Sequence, residues 1–248
     1  MTERNYNAEF ADNSERKYTY SFDYDVMHYY ILKSFIPFIK NNDVLELGCY
    51  KGAFTKRLQN VFPDITCIEA SGDAIDVAKS YLRDDIKFIQ GTFEKVTLDR
   101  KFNNIIMTHV LEHIDDPVFV LKRIKDEWLA DDGSFFLVCP NANAPSRQIA
   151  VKMGLIDHNS AVTDGEKKHG HRVTYSFDTL ERNLKQAGFN IVYRSGIFFK
   201  PFANFQWDRI LQTDIISKEY LDGCFELGQQ YPDLCASIFF LCKKPGIV

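Results

Sequence analysis

The chain has 248 residues, of which 45% are hydrophobic and 26% charged, and its formal net charge is −4. This composition is typical of one large globular domain, and an acidic balance without a basic stripe argues against a nucleic-acid partner. No apolar run reaches membrane-spanning length and the polar N-terminus has no signal-peptide hydrophobic region, so we expect a cytoplasmic protein without a membrane span.

Strand and helix patterns alternate along most of the chain. Residues 1–42 hold a dense aromatic set with helical spacing from Val26 to Phe35, which predicts a helical N-terminal cap. Strands are then predicted at Val44–Leu47, Ile65–Glu69, Ile86–Gln90, Phe102–Met107, Ser134–Val138, Phe189–Arg194 and Ser237–Cys242. Helices are predicted at 53–61, Ala74–Leu82, Pro117–Leu129 and Ser176–Gly188. The alternation predicts an α/β fold with a doubly wound parallel sheet over residues 43–248.

Two segments interrupt this alternation. Asn141–Tyr175 is a long, polar, histidine-bearing insertion, which we expect to border the substrate. Lys200–Asp233 is aromatic and gives no clear secondary-structure pattern. The aromatic segment Phe198–Trp207, which overlaps its start, is either a dimer face or a substrate wall. The six cysteines form no CxxC pair, which favours buried free thiols over disulfides or a zinc site.

The stretch Asp43–Leu58 (DVLELGCYKGAFTKRL) places a glycine turn between the first strand and the following helix. Such a turn exposes backbone N–H groups to a ligand. Glu69 ends the second strand about 20 positions after Gly48, where an acidic side chain accepts hydrogen bonds from ribose hydroxyls. Tyr50 stands where the dinucleotide fingerprint has its middle glycine. That glycine lets a pyrophosphate touch the backbone, so its absence favours S-adenosylmethionine over NAD.

These residues resemble the class I S-adenosylmethionine-dependent methyltransferases. ELGCYKG (Glu46–Gly52) is similar to the family's E-x-G-x-G-x-G turn, GTFE (91–94) to the loop that flanks the adenine, and THVLEHI (108–114) to a segment of members that methylate small molecules. The resemblance implies a Rossmann-like, seven-stranded sheet whose last strand is antiparallel, with S-adenosyl-L-methionine as cofactor and S-adenosyl-L-homocysteine as product. The cofactor residues that it implies are Glu46, Gly48, Cys49, Gly52, Glu69, Ala70, Gly91, Thr92, Phe93, Thr108 and His109.

His109 to His113 also has the H-x-x-E-H form of a zinc protease. The motif starts directly at a strand end and lacks a long helix, so no metal is expected. Methyl transfer to a hydroxyl requires loss of the acceptor's proton, which a histidine in the ligand crevice can take. We expect His113 to act as the general base, with His109 one helical turn before it as a wall residue on the cofactor side. A structural, hydrogen-bonded histidine is the alternative for His113.

The insertion supplies competing candidates in KKHGHR (167–172). His171 is a second candidate base, and His169 is expected to contact the substrate. Arg172 is expected to hold a carboxylate or phosphate of the substrate, and Tyr20 from the N-terminal aromatic set is expected to contact it. A solvated polar loop is the alternative, and an acceptor that is already anionic would need no base.

The resemblance implies an enzyme that methylates a small polar acceptor, with O-methylation the expected reaction. The segment GHRVTYSFDTLERNLKQAGF (170–189) is similar to that of bacterial methyltransferases associated with surface polysaccharides, which suggests a sugar, nucleotide-sugar or phosphorylated precursor. The alternatives are a nicotinamide-dependent oxidoreductase, a methyltransferase-like binding protein without turnover, and an RNA or protein methyltransferase. The expected partner is a small-molecule acceptor; a homodimer is the further option if the aromatic segment is a dimer face, and no nucleic-acid partner is expected.

Overall fold

Seven strands form a single sheet in the part of the chain that the computed structural model describes, residues 4–15, 20–40 and 42–246. Their bounds are β1 Asp43–Leu47, β2 Asp64–Glu69, β3 Lys87–Gln90, β4 Phe102–Thr108, β5 Leu129–Pro140, β6 Asn190–Phe199 and β7 Cys235–Lys243. The order is β3-β2-β1-β4-β5-β7-β6. Strands β1 to β5 pair in parallel, whereas β7 is antiparallel to both β5 and β6. The predicted Rossmann-like sheet with an antiparallel last strand is confirmed.

Helices pack around this sheet. The α-helices are α1 Tyr6–Glu15, α2 His28–Phe35, α3 Thr55–Leu58, α4 Gly72–Lys79, α5 Pro117–Arg123, α6 Pro145–Lys152, α7 Asp164–Lys168, α8 Phe177–Gln186, α9 Asn204–Ile210 and α10 Lys218–Gln230. Shorter helical turns lie at Phe22–Met27, Ile36–Phe38, Leu111–His113, Ile124–Trp128 and Pro232–Leu234. Ser176 caps α8, since its hydroxyl accepts a hydrogen bond from the Thr179 N–H.

Two helices are shorter than their sequence patterns predicted. After β1, regular α-helix is limited to Thr55–Leu58. Helix α5 ends at Arg123 and continues as a π-helical turn to Trp128, because Leu129 already pairs with Phe102 at the start of β5. The apolar periodicity of this region therefore reflects burial, not a continuous α-helix.

The stretch Lys200–Asp233, for which we made no secondary-structure prediction, contains α9 and α10. Ser217 caps α10 by accepting a hydrogen bond from the Tyr220 N–H. Trp207 on α9 is fully buried, and its ring stacks on Phe22 with 5.0 Å between the centroids. This part of the aromatic segment therefore belongs to the core.

The core has two apolar clusters formed by alternate residues of the strands. Val44 and Ile106 lie in one, Leu45 and Ile105 in the other, because successive strand side chains point to opposite faces. The first cluster also takes in N-terminal apolar side chains, namely Phe22, Val26, Met27, Tyr30, Ile31 and Phe35. The predicted cap thus packs into the main core, although its residues 1–3, 16–19 and 41 lie outside the described residues.

All six cysteines are buried and free, as predicted. Burial raises the thiol pKa of Cys67 and Cys139 well above its ordinary value, which suits packing residues more than nucleophiles. Among the described helices, none is both long and apolar enough to cross a bilayer.

Gly52 occupies a position that tolerates no side chain. Its φ is +82°, and a Cβ there would lie 2.7 Å from Leu82 Cδ1 and 3.0 Å from Ala78 Cβ. Gly52→Ala should combine backbone strain with overpacking and lower the free energy of unfolding by about 2–4 kcal/mol in urea titrations. Gly223→Ala, within α10 and with open space around its Cβ, is the matched control and should be neutral or stabilising. Equal stability of Gly52→Ala and the wild type would refute this packing role.

Candidate active site

A cavity of about 780 Å³ lies at the carboxyl ends of the parallel strands, the edge where α/β sheets bind ligands. Loops after β1 to β4 line it, together with the N-terminal helices, the 141–175 insertion and the residues around Lys200. The predicted cofactor residues that line it are Glu46, Gly48, Cys49, Glu69, Ala70, Gly91, Thr92, Phe93, Thr108 and His109. Gly52 does not line it and packs against Leu82 and Ala78, so its expected cofactor contact stays a prediction.

The turn after β1 is held in a left-handed backbone conformation. Gly48 has φ +76° and its N–H donates to the Ile68 carbonyl at 2.8 Å. A Cβ on Gly48 would lie 2.6 Å from a Val110 methyl, so glycine is required there. Tyr50 has φ +48°, the conformation that the family's central glycine would adopt easily. Its ring packs against Phe10 of α1, at 5.6 Å between centroids, which accounts for a tyrosine at this position.

Glu69 at the end of β2 organises the same turn. One carboxylate oxygen accepts the Tyr50 N–H at 2.8 Å and the other accepts the Ser71 N–H at 2.9 Å. Burial raises the pKa of the carboxyl. Each oxygen has a further lone pair, and the residue lines the cavity, so the geometry also suits the expected ribose contact.

Glu46 lies on the floor of the turn with 4% of its surface exposed. Its Oε2 accepts hydrogen bonds from the Thr55 hydroxyl at 2.6 Å and the Cys67 thiol at 3.6 Å. Burial raises the pKa of this carboxyl to about 7. The side chain is therefore a buried hydrogen-bonding group at the cavity wall that could bind the cationic amino group of a methionine moiety.

His109 directly follows β4, and it lines the cavity at the carboxyl end of that strand. Its N–H donates to the Val138 carbonyl at 2.9 Å, its φ is +54°, and its Nε2 lies 2.8 Å from the Ser237 hydroxyl. Burial first, then the positive charge of Lys200, lowers the imidazole pKa to about 3. At neutral pH the ring is therefore uncharged, and one of its nitrogens can accept a hydrogen bond.

His113 lines the same cavity as His109, but no α-helix connects the two residues. Leu111–His113 forms a single 3₁₀ turn, which corrects the expected helical spacing of the two histidines. The His113 ring instead packs against His171 of the insertion, with 4.5 Å between centroids. Burial lowers the pKa of His113 well below its ordinary value. The structure thus brings both candidate bases of the sequence analysis into one cluster.

Glu112 lies beside these rings with only 1% of its surface exposed. Burial raises the pKa of its carboxyl to about 8, and no described residue hydrogen-bonds its Oε2. The sequence analysis noted this residue only as part of H-x-x-E-H and gave it no role.

The substrate residues predicted in and near the insertion divide into two groups. His169 and Tyr20 line the cavity. Arg172 does not: its guanidinium pairs with Asp115 at 2.8 Å, and its expected substrate contact stays a prediction. The neighbouring Lys167 pairs with Asp164 outside the cavity lining.

A polar group around Lys200 is the main part of the site that sequence reasoning missed. The Lys200 ammonium donates to Asn204 Oδ1 at 2.5 Å, and Asn204 Nδ2 donates to the Asp23 carboxylate at 2.9 and 3.1 Å. Burial lowers the pKa of Lys200 and raises that of Asp23. The one sequence feature that could have indicated this group is a lysine directly after the apolar end of β6. Asp23 lies far away in the sequence, and its surroundings gave no such indication.

His28 is a second missed residue of the cavity wall, and it predicts a pH effect on stability. Its Nδ1 has no partner among the described residues, and burial lowers its pKa to about 3. Histidine in the unfolded chain titrates near 6.5, so below that pH protonation favours unfolding until the pH reaches the folded value. His28→Phe should reduce the pH dependence of the unfolding free energy in this window by about 1.4 kcal/mol per pH unit.

Urea unfolding at several pH values across this window measures that slope. His158→Phe, at an exposed position, is the matched control and should keep the wild-type slope. A His28→Phe slope parallel to that of the wild type would contradict the burial argument.

Comparison with known proteins shows the family of this chain. The family described as "Methyltransferase domain" matches residues 16–194, well over half of the chain. The chain belongs to this family. It is similar to the ubiquinone biosynthesis O-methyltransferase of Dinoroseobacter shibae, with 26% identity over 194 residues that cover 75% of each protein.

Solved structures with the same fold include a methyltransferase and a protein in complex with SAH. The SAM-dependent methyltransferase from Thermotoga maritima superimposes with a TM-score of 0.64 at 16% identity, over 95% of this chain and 96% of that one. The DhpI–SAH complex superimposes with a TM-score of 0.61 at 16% identity, over 97% of this chain and 95% of that one.

This methyltransferase is a class I enzyme that uses S-adenosylmethionine, as the sequence predicted. The family assignment decides against the nicotinamide-dependent oxidoreductase that we held as an alternative.

Proposed function

We propose that this methyltransferase transfers the methyl group to a hydroxyl oxygen of a small acceptor that carries an acidic group near that hydroxyl. The observation that carries the proposal is that the His109 imidazole and the half-buried Lys200 side chain line one cavity. The uncharged imidazole offers a nitrogen lone pair to the acceptor hydroxyl, whose proton becomes strongly acidic as the O–CH₃ bond forms, and the lysine ammonium can bind an anion.

His109 is the proposed general base. S-adenosylmethionine supplies an electrophilic methyl group on a sulfonium sulfur, so the O–CH₃ bond forms as the S–CH₃ bond breaks and S-adenosylhomocysteine leaves. In the tautomer in which His109 Nε2–H donates to the Ser237 hydroxyl, Nδ1 keeps a lone pair for the acceptor's proton. The hydrogen bond to Ser237 also fixes the ring orientation. His113, our base on sequence grounds, belongs to the separate cluster with Glu112 and His171.

Lys200 is the proposed anchor for the acceptor's acidic group. Its ammonium donates one hydrogen to Asn204 Oδ1, and a lysine ammonium has three to donate. Asp23 and Asn204 beside it can bind further hydroxyl groups of the acceptor. The aromatic residues Tyr20 and Phe205 line the same part of the cavity and suit contact with a flat ring.

A hydroxylated aromatic acid is the acceptor class that this arrangement supports best. The name of the Dinoroseobacter relative points to O-methylation in ubiquinone biosynthesis, and the aromatic wall agrees with a ring. A sugar hydroxyl is the second candidate, favoured by the Asp23 and Asn204 hydrogen-bonding groups. The phosphorylated or nucleotide-linked form has less support, because Lys167, Lys168 and Arg172, which suggested it, do not line the cavity.

The test compares a dihydroxybenzoate with its neutral carboxamide in a methyl-transfer assay. For Lys200→Met, we expect the KM of the acid to rise roughly 10- to 100-fold, the value of one or two charge-assisted hydrogen bonds, with a much smaller change for the amide. Lys152→Met, an exposed lysine of α6 outside the cavity lining, is the matched control. Equal effects of Lys200→Met on the two acceptors would refute the anchor.

A further inference from the structure

Glu112, His113 and His171 gather three metal-ligand side chains at one wall of the cavity. One ligand atom from each lies within 4.8 Å of the other two. Ligand atoms around Zn²⁺ each lie about 2 Å from the ion and so stand roughly 3–4 Å apart. Small side-chain rotations therefore suffice to place one ion among these three atoms.

The buried carboxyl of Glu112 lacks a partner that a cation would supply. Its side chain is 1% exposed, and Oε2 is without a hydrogen-bond partner in the described part of the chain. A buried polar atom left in this state is costly, and native structures rarely retain one without a functional reason. All three residues line the cavity, so an ion here could also contact a bound acceptor.

The turn after β4 and the insertion are joined by a backbone hydrogen bond, and two further hydrogen bonds fix the backbone of these segments. The Arg172 N–H donates to the Glu112 carbonyl at 2.7 Å, and the His171 N–H donates to the Glu166 carbonyl at 3.0 Å. The Arg4 guanidinium donates to the His113 carbonyl at 3.1 Å. The ligand set is thus assembled from the turn after β4 and from the insertion before any ion binds.

We propose that Glu112, His113 and His171 bind one divalent transition-metal cation, with Zn²⁺ and Mn²⁺ as the candidates. Two imidazoles with one carboxylate suit these ions better than Mg²⁺ or Ca²⁺, which prefer oxygen ligands. Three protein ligands with a position open to the cavity are typical of a catalytic site. The nearby cations Arg4 and Arg172 are each paired with a carboxylate, on Glu9 and Asp115 respectively, which reduces their repulsion of the ion.

This role rests on the proposed O-methylation. The ion would bind the acceptor hydroxyl or its neighbour and lower the hydroxyl pKa, so that the proton passes to His109 more easily. The H-x-x-E-H motif is then used differently from the zinc-protease pattern. His109, the motif's first histidine, keeps its hydrogen bond to Ser237. His171 from the insertion supplies the third metal ligand in its place.

The test is equilibrium dialysis of the chelator-treated, full-length protein against Zn²⁺ or Mn²⁺, with metal content measured by mass spectrometry. Co²⁺ titration followed by visible absorbance probes the ligand geometry. We expect one ion per chain in the wild type and, for Glu112→Gln and His171→Ala, an affinity loss greater than the roughly 10- to 100-fold typical of an outer-shell partner. His158→Ala, an exposed histidine of the same insertion, should bind like the wild type.

Calorimetric binding of S-adenosylhomocysteine by each variant checks that it remains folded, and His171 lies in a loop where truncation is mild. Absence of a stoichiometric ion in the wild type, or equal metal affinity of His171→Ala and wild type, would overturn the site. Methyl transfer to a hydroxyl acceptor by protein that binds no ion would refute the metal proposal and leave the proposed reaction standing. An ion held by these residues without transfer to any hydroxyl would keep the metal site and reject the proposed reaction.

Discussion

Replacing His109 by glutamine should lower kcat by about 10²- to 10⁴-fold, the contribution that a positioned general base usually makes. The reason is the geometry after β4: the imidazole is uncharged, oriented by Ser237 and open to the cavity. Glutamine keeps a polar side chain of similar length but cannot take the acceptor's proton. The affinity for S-adenosylhomocysteine should fall far less than kcat, because glutamine keeps a polar side chain on the cofactor side of the cavity. Single-turnover methyl transfer and calorimetry measure the two quantities.

Two further variants make this result specific. His158→Ala should keep the wild-type kcat, because its side chain is exposed and outside the cavity lining. His113→Ala separates the two candidate bases. A full loss of kcat in His109→Gln identifies the base after β4. A wild-type kcat in His109→Gln together with a full loss in His113→Ala would return the role to His113, where the sequence analysis put it.

Replacing Glu69 by alanine should weaken cofactor binding by roughly 100-fold or more, equal to about 3 kcal/mol from two lost charge-assisted hydrogen bonds. The carboxylate holds the Tyr50 and Ser71 amides and therefore fixes the turn that the cofactor must contact. Its free lone pairs also suit the ribose hydroxyls. Titration calorimetry with S-adenosylmethionine and S-adenosylhomocysteine measures the loss.

Glu69→Gln keeps the size of the side chain and one carbonyl acceptor, so it should give an intermediate loss. Asp73→Ala removes an exposed acid at the start of α4, outside the cavity lining, and should bind the cofactor like the wild type. Wild-type affinity in Glu69→Ala would mean that neither the turn nor the ribose depends on this carboxylate.

The cofactor half of the site was predictable because its signals are local. The strand, Gly48 and Glu69 lie at spacings that the fold imposes, and the positive φ of the turn demands glycine at Gly48. Tyr50 could be recognised as a departure from the family pattern. The packing of the Tyr50 ring on Phe10, which accounts for the tyrosine, became visible only in the structure.

The acceptor half was mostly not predictable because it depends on contacts between distant segments. Asp23 and Asn204 are hydrogen-bonded across 181 positions of sequence, and the sequence around either residue gives no indication of the other. Helical spacing put His109 and His113 on one face, but the chain forms only a 3₁₀ turn there before Asp116 caps α5. Arg172 had the right chemistry for an anion, yet Asp115 is its partner. The domain division, the homodimer and the cytoplasmic location stay predictions.

The central claim is that the methyl group goes to an oxygen of an acidic acceptor. Transfer from S-adenosylmethionine with a ¹³C-labelled methyl group, followed by carbon NMR of the products from hydroxybenzoates, sugars and matched amines, tests it most directly. We expect an O-methyl resonance on an acidic hydroxyl acceptor, lost in His109→Gln and weakened in Lys200→Met. A methyl group found on nitrogen, or no transfer to any hydroxyl by protein that binds the cofactor, would contradict it.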